Sequence, residues 1–280
     1  ASPYNIYGGM QDNGVWFGNV KNDPSDPWKS LMGGDGMVVA VDTRDNNIVY
    51  TGSQFGMYFR IDKTSGQRKL ITPGHEIGTA PNRYNWRTPA ELSYHNQDIV
   101  YMGSQYVYQS LDQGSTWKRI SDDLTKNKKS GNVPYATLSV VEESPLEFGT
   151  IYAGSDDGNV WVTRNNGGNW ISLNAGLPAD RWVSSIAPSS HQEGLVYVTL
   201  NGYRMDEFTT YVYRSENYGK TWTAIKGNLP DESTNIIAED KVNSAILYLG
   251  TDHGLYVTMD GGNNWNLFQG QIPNVAIYDM

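Results

Sequence analysis

The sequence predicts an all-β chain folded as a β-propeller of four-stranded blades, on three observations. The first is a phrase written four times: a hydroxyl residue, x, Asp or Asn, x, Gly, x, a small polar residue, Trp. Its copies span residues 110–117, 163–170, 215–222 and 258–265, and their tryptophans stand 53, 52 and 43 positions apart. The second is a marker upstream of each box, an apolar residue followed by Tyr and then small residues, beginning at Ile6, Val49, Val100, Ile151, Val196 and Leu247. These starts lie 43, 51, 51, 45 and 51 residues apart, the period of an array of supersecondary units. The third is composition: 30 Gly, 19 Tyr and 9 Trp among short apolar runs, which suits many strands joined by tight turns.

The box has a mechanism. An Asp or Asn side chain accepts backbone N–H bonds two residues on, Gly supplies positive φ, and the Trp packs on the hairpin it closes. Asp112, Asn165, Asn217 and Asp260, with Trp117, Trp170, Trp222 and Trp265, are therefore read as turn architecture. A catalytic carboxylate should be singular, whereas a turn-former should repeat. Two of the four are Asn, which cannot serve as an acid or base.

Each full repeat resolves into four strands. In the best-formed one, residues 137–141 alternate, 144–149 turn, 151–154 form a small-residue strand, 160–163 alternate and 170–173 close. Radial repetition of such units makes a propeller. No repeat holds ten residues of 3.6 periodicity, which excludes a helical solenoid. The expected blades are 1–32 together with 273–280, then 33–81, 82–133, 134–180, 181–231 and 232–272. The first repeat opens at its second strand, and 275–280 reads as a first strand without companions. Joining them would complete a sixth blade and remove open edges. The alternative is a segment of a larger ring, and the Ala1-Ser2-Pro3 start suits a trimmed product or a fragment.

Charge and residue usage exclude several classes. The net charge of −9 is spread along the chain and argues against a nucleic-acid partner, which requires a basic patch. There is no Cys, hence no disulfide and no thiolate metal site. The four His are scattered without zinc-ligand spacing, and no apolar stretch is long enough for a membrane helix. No cofactor is implied; calcium is the ion that acidic loops such as 33–36 would take, but a tight lead into the strand at 37–42 is the better reading of that Gly-Gly-Asp-Gly.

The boxes match the Asp-box, or BNR, repeat found in sialidases, xyloglucanases and the propeller of sortilin-type (VPS10) receptors. Over nearly the whole chain the wording resembles large secreted bacterial proteins described as sortilin-like or as BNR-repeat glycosyl hydrolases. Residues 7–14, 33–36, 84–89 and 158–163 carry that resemblance. It implies a propeller in a mature protein that is secreted, periplasmic or on the cell surface, joined to further domains of a longer parent. Sialidases require an Arg-Ile-Pro phrase, and Arg60-Ile61-Asp62 and Arg119-Ile120-Ser121 lack its Pro. Xyloglucanases place their acids in a cleft between two propellers, and this chain has material for one.

Ligands of a propeller usually meet the rim made by the loop between strands two and three and the loop leading into strand one. That rim is expected to hold Arg83, Trp86, Arg87, Arg181, Trp182, Arg204 and Asp206 as ligand-binding residues for a protein or a glycan. Trp86 and Trp182 would be sugar-stacking platforms. Residues 82–87 read either as a binding hot spot or as a loop packed into the central channel. Hydrolysis of a glycoside would need two carboxylates at a fixed separation, and Asp35, Asp156, Asp157, Asp206, Glu207 and Asp252 are the candidates. The expected function is non-enzymatic recognition or scaffolding, with a BNR-type glycoside hydrolase as the alternative.

Overall fold

The structure is a computed structural model that describes residues 4–19, 25, 27–128, 135–270 and 272–280. The start at residues 1–3 and the blade boundary drawn at 133/134 lie outside the described residues. Among the described residues regular structure consists of 23 strands and one 3₁₀ turn. The strands form six consecutive antiparallel sheets, each a simple meander, and these are propeller blades. The chain divides into two compact units, Ala1–Arg119 and Ile120–Met280.

In the first unit, β1 (Asn5–Met10), β2 (Gly14–Asn19) and β3 (Trp28–Met32) make a three-stranded sheet that begins at the second strand of the repeat. The next sheet is β4 (Val39–Val41), β5 (Ile48–Ser53), β6 (Met57–Asp62) and β7 (Arg68–Leu70). The third is β8 (Ala90–Leu92), β9 (Val100–Gly103), β10 (Val107–Ser110) and β11 (Lys118–Arg119).

The second unit opens with β12 (Leu138–Glu143), β13 (Ile151–Ser155), β14 (Val160–Thr163) and β15 (Ile171–Ser172). Then follow β16 (Trp182–Pro188), β17 (Val196–Gly202), β18 (Glu207–Ser215) and β19 (Thr223–Ala224). The last sheet is β20 (Thr234–Glu239), β21 (Leu247–Thr251), β22 (Leu255–Thr258) and β23 (Trp265–Leu267).

The upstream marker is the second strand of each blade. β9, β13 and β17 are buried along their whole length, so these strands read as continuous apolar and small residues rather than as an alternation. The outermost strands β11, β15 and β19 are two residues long and exposed, which shortens the edge open to pairing with another chain. Core clusters lie between successive sheets. One joins Val140, Tyr152 and Val162 to Val183, Ile186 and Val198, and another joins Tyr197 and Val212 to Ile237, Leu247 and Trp265. The small residue of the marker permits this approach: a Cβ on Gly154 would sit 2.4 Å from Val183 of the following sheet. Ile277 occupies the same relation to Gly250, donating its N–H to Thr251 O at 2.9 Å. Ile277 thus lies beside β21 where a following first strand would run, in a segment without strand assignment.

The boxes differ from the sequence reading in two respects. Bonds two residues on come from the leading hydroxyl: Ser215 Oγ accepts from Asn217 N at 3.3 Å and from Gly219 N at 2.8 Å. The third residue reaches further, since Asn217 Oδ1 accepts from Thr221 N at 3.0 Å and Asp112 Oδ1 from Thr116 N at 2.7 Å. These bonds leave the box acids as ionised acceptors. The backbone and side-chain donors of Thr116 lower Asp112 to about 2, and Asn264 holds Asp260 at about 2. The second difference concerns Trp, which in three of the boxes grips the blade before its own within the same unit. Trp117, Trp170, Trp222 and Trp265 donate Nε1–H to the carbonyls of Ile71, Ile120, Leu173 and Ile225 at 2.7, 2.8, 2.9 and 2.9 Å.

Candidate functional site

Because strand two ends where strand one begins, the loop between strands two and three and the loop leading into strand one meet at one end of every blade. In the first unit this end is knitted by backbone bonds. Asp35 Oδ1 accepts from Asp12 N at 2.8 Å, and Gly36 N donates to Met10 O at 3.0 Å. Residues 82–88 are equally fixed. Arg83 N donates to Gln105 Oε1 at 2.7 Å, Thr88 Oγ1 donates to Asn85 O at 2.7 Å, and Phe55 N donates to Trp86 O at 3.2 Å. The Tyr84 hydroxyl donates to Pro73 O at 2.6 Å, and burial pushes its pKa up. Asn85 and Thr88 are buried, while Trp86 and Arg87 face outward and Arg83 is half-buried. The structure thus brings Arg83, Trp86 and Arg87 together on one rigid loop, with Asp35 serving a separate turn.

The second unit gathers most of the remaining candidates on one blade and its neighbour. Trp182 opens β16 and pairs in register with Asn201 of β17. Past Gly202 the chain makes the 3₁₀ turn Tyr203–Met205, which closes on Asp206 at φ 57, with Asp206 N donating to Tyr203 O at 3.1 Å. The turn folds Arg204 back, so that its guanidinium lies 3.8 Å from the Trp182 ring and 5.1 Å from the Tyr203 ring. Trp182 therefore meets solvent with an arginine across one face. Arg181 is committed elsewhere: it pairs with Glu207 and donates to Ala179 O at 3.1 Å. Glu207 also accepts from the Tyr211 hydroxyl, and these two donors, Tyr211 foremost, hold its carboxyl low.

Beside this blade sit the two acids of the preceding one. Asp156 Oδ1 accepts from Thr137 N at 3.0 Å and Oδ2 from Thr137 Oγ1 at 2.6 Å. Its burial outweighs those bonds and raises the pKa to about 6, with Asp157 adding to the rise and Arg204 opposing it. Asp157 accepts from Ser155 Oγ at 2.6 Å and from Lys126 N at 2.8 Å. Asp180 holds Lys126 and Lys128 at 2.8 and 2.7 Å, and these lysines depress it to about 2. Asp252 lies on the last blade, where Asn235 Nδ2 donates to it at 3.0 Å.

Several participants were not singled out in the sequence. Tyr211 stands four residues after Glu207 along β18, and Thr137, Lys126 and Met205 carry no motif. Their signal is positional only, each flanking a loop that was. A cavity of about 340 Å³ lies at the opposite end of the last two blades, lined by His191, Tyr197, Arg214 and Asp260 among others. Among the described residues no group of three or more His, Asp or Glu is placed to hold a metal ion, and no helix is long and apolar enough to cross a membrane.

No family model and no curated protein matches the sequence. Solved structures resemble it in fold. The GH74 xyloglucanase from Xanthomonas campestris aligns at 16% identity and TM-score 0.67 over 93% of this chain and 43% of its own. A GH74 enzyme from Niastella koreensis aligns at 14% identity and TM-score 0.66 over 95% of this chain and 44% of its own. The extracellular domain of a putative hybrid two component system from B. thetaiotaomicron gives 14% identity and TM-score 0.61 over 96% and 34%. The chain thus spans less than half the length of these structures, and at such identities the likeness is one of fold: an all-β propeller.

Proposed function

We propose that this chain is a non-enzymatic recognition or scaffolding propeller of a secreted or cell-surface protein, and that it binds a glycan through the rim of its second unit. The observation that carries the reading is the state of the rim carboxylates. Asp35, Asp156, Asp157, Glu207 and Asp252 each accept a hydrogen bond or ion pair that holds a loop or a neighbouring side chain. Glycoside hydrolysis needs one acid and one base free to face the same bond, and of the six candidate acids, all among the described residues, Asp206 is the one left at the exposed tip of its loop. What the rim offers instead is aromatic and guanidinium surface: Trp182, Arg204 and Tyr203, with Met205 and Phe208 exposed beside them. Such groups are favoured anchors in recognition.

The resemblance of the boxes to Asp-box repeats, and the fold shared with GH74 enzymes and with an extracellular domain, support a carbohydrate-related surface role. A single sample tests binding against turnover: oligosaccharides are titrated into the protein and then assayed for new reducing ends. Saturable binding without new reducing ends is expected. Cleavage that Asp206→Asn or Glu207→Gln abolishes would instead establish the hydrolase reading.

A further inference from the structure

The geometry points to a carboxylate-bearing sugar, a uronate, as the ligand of the second-unit rim, with Arg204 as the residue that receives its carboxylate. This inference rests on the glycan reading above and narrows it. Its basis is an arginine that is held in place yet chemically unspent. The Arg204 guanidinium lies 3.8 Å from Trp182 and 5.1 Å from Tyr203, and among the described residues it makes no hydrogen bond or ion pair. Stacking on an aromatic face restrains a guanidinium while leaving its in-plane donors available.

Two other arginines, Arg181 beside it and Arg164 at the opposite end of its own blade, show how different that state is. Arg181 has Glu207 and the Ala179 carbonyl as partners. Arg164 stacks on Tyr218 at 3.6 Å but is paired with Glu147 at 3.3 Å. The backbone beneath Arg204 is fixed as well, by the 3₁₀ turn and by Asp206 in the left-handed region. The ordering cost of catching an anion is therefore already met in the free protein.

The planar fork of a guanidinium matches a carboxylate through two parallel bonds. Tyr203 is 44% exposed, and its ring offers a face to a pyranose whose C5 carboxylate would then reach Arg204. Among the described residues the acids around the stack make no ion pair with it, although Arg204 does favour the charged form of Asp156. Glu207 is bound to Arg181 and Tyr211, Asp180 to two lysines, and Asp156 and Asp157 are buried and turned to backbone and hydroxyl donors.

The test is calorimetric titration with tetragalacturonate, its methyl ester, cellotetraose and a tetraglutamate peptide. We expect tetragalacturonate to bind about tenfold or more tightly than its ester, the scale of one charge-assisted bidentate contact. Arg204→Gln should erase that preference while melting like the parent. Arg164→Gln, whose guanidinium is stacked but paired, should keep it. Acid and ester binding alike would overturn the carboxylate assignment and leave the glycan reading standing. No oligosaccharide binding at all would overturn both. A preference that survives Arg204→Gln would remove Arg204 from the role. Tetraglutamate matching tetragalacturonate would overturn the sugar and point to a protein partner.

Discussion

In each box a hydroxyl, an Asp or Asn, a Gly and a Trp divide one task. The hydroxyl and the amide or carboxylate oxygen satisfy the turn's N–H groups, while in three of the boxes Gly and Trp clamp the blade before. At Gly219, φ is +82° and a Cβ would meet Leu173 at 2.5 Å, whereas at Gly66 φ is +72° with nothing within 4 Å. Gly219→Ala should therefore lower the urea midpoint clearly more than Gly66→Ala, because only the first adds a clash to the shared backbone strain of roughly 1 kcal/mol. Trp222→Phe, which deletes the bond to Leu173 O but keeps most of the ring, should cost about 1 kcal/mol in the same measurement. Asp156 gives the opposite kind of effect. Its folded pKa of about 6 lies above the ordinary 3.8, so the folded state retains a proton that the unfolded state has released. Its contribution is fully present below pH 3.8 and is lost as pH rises through about 6. Asp156→Asn should thus be more stabilising at pH 8 than at pH 4, read from paired melting curves. The turn chemistry was legible in these residues because it depends on residue type and local spacing. The grip on the preceding blade was not, because Trp222 and Leu173 lie 49 positions apart and nothing in either residue names the other.

At the scale of the element, the second strand of each blade was the most legible feature. Its apolar-Tyr-small pattern encodes burial on both faces together with close passage of the next sheet, and Gly154 shows why the small residue is needed. Gly154→Val should force Val183 away and cost more than the approximately 1–3 kcal/mol typical of overpacking, measured by denaturation of the whole chain. The segment between β17 and β18 was legible only as the carrier of Arg204, Asp206 and Glu207. Its 3₁₀ turn, and the return of Arg204 onto Trp182, depend on a three-residue fold that no periodicity marks. Likewise Glu207 was a candidate acid in the sequence and is an ion pair in the structure, since Arg181 reaches it from the loop leading into β16. Asp206 holds a left-handed backbone that Gly adopts without strain and a β-branched residue does not. Asp206→Gly should leave the melting temperature near that of the parent, and Asp206→Val should lower it.

At the scale of the whole molecule, five four-stranded meander sheets and one of three strands repeat a single pattern and differ in their loops. Repetition separates the two kinds of residue. What recurs at each box holds blades together, and what occurs once, as Trp182 with Arg204 does, is available for recognition. The net charge of −9 makes an unpaired, stacked arginine the more conspicuous as a receiver of anions. Hydrogen-exchange mass spectrometry of the protein with and without tetragalacturonate tests this division most directly. The account predicts ligand protection confined to residues 135–137, 180–182 and 202–209, with the amides of the four box turns unchanged. Protection centred on residues 215–222 or 258–265, with the 202–209 loop unaffected, would contradict it.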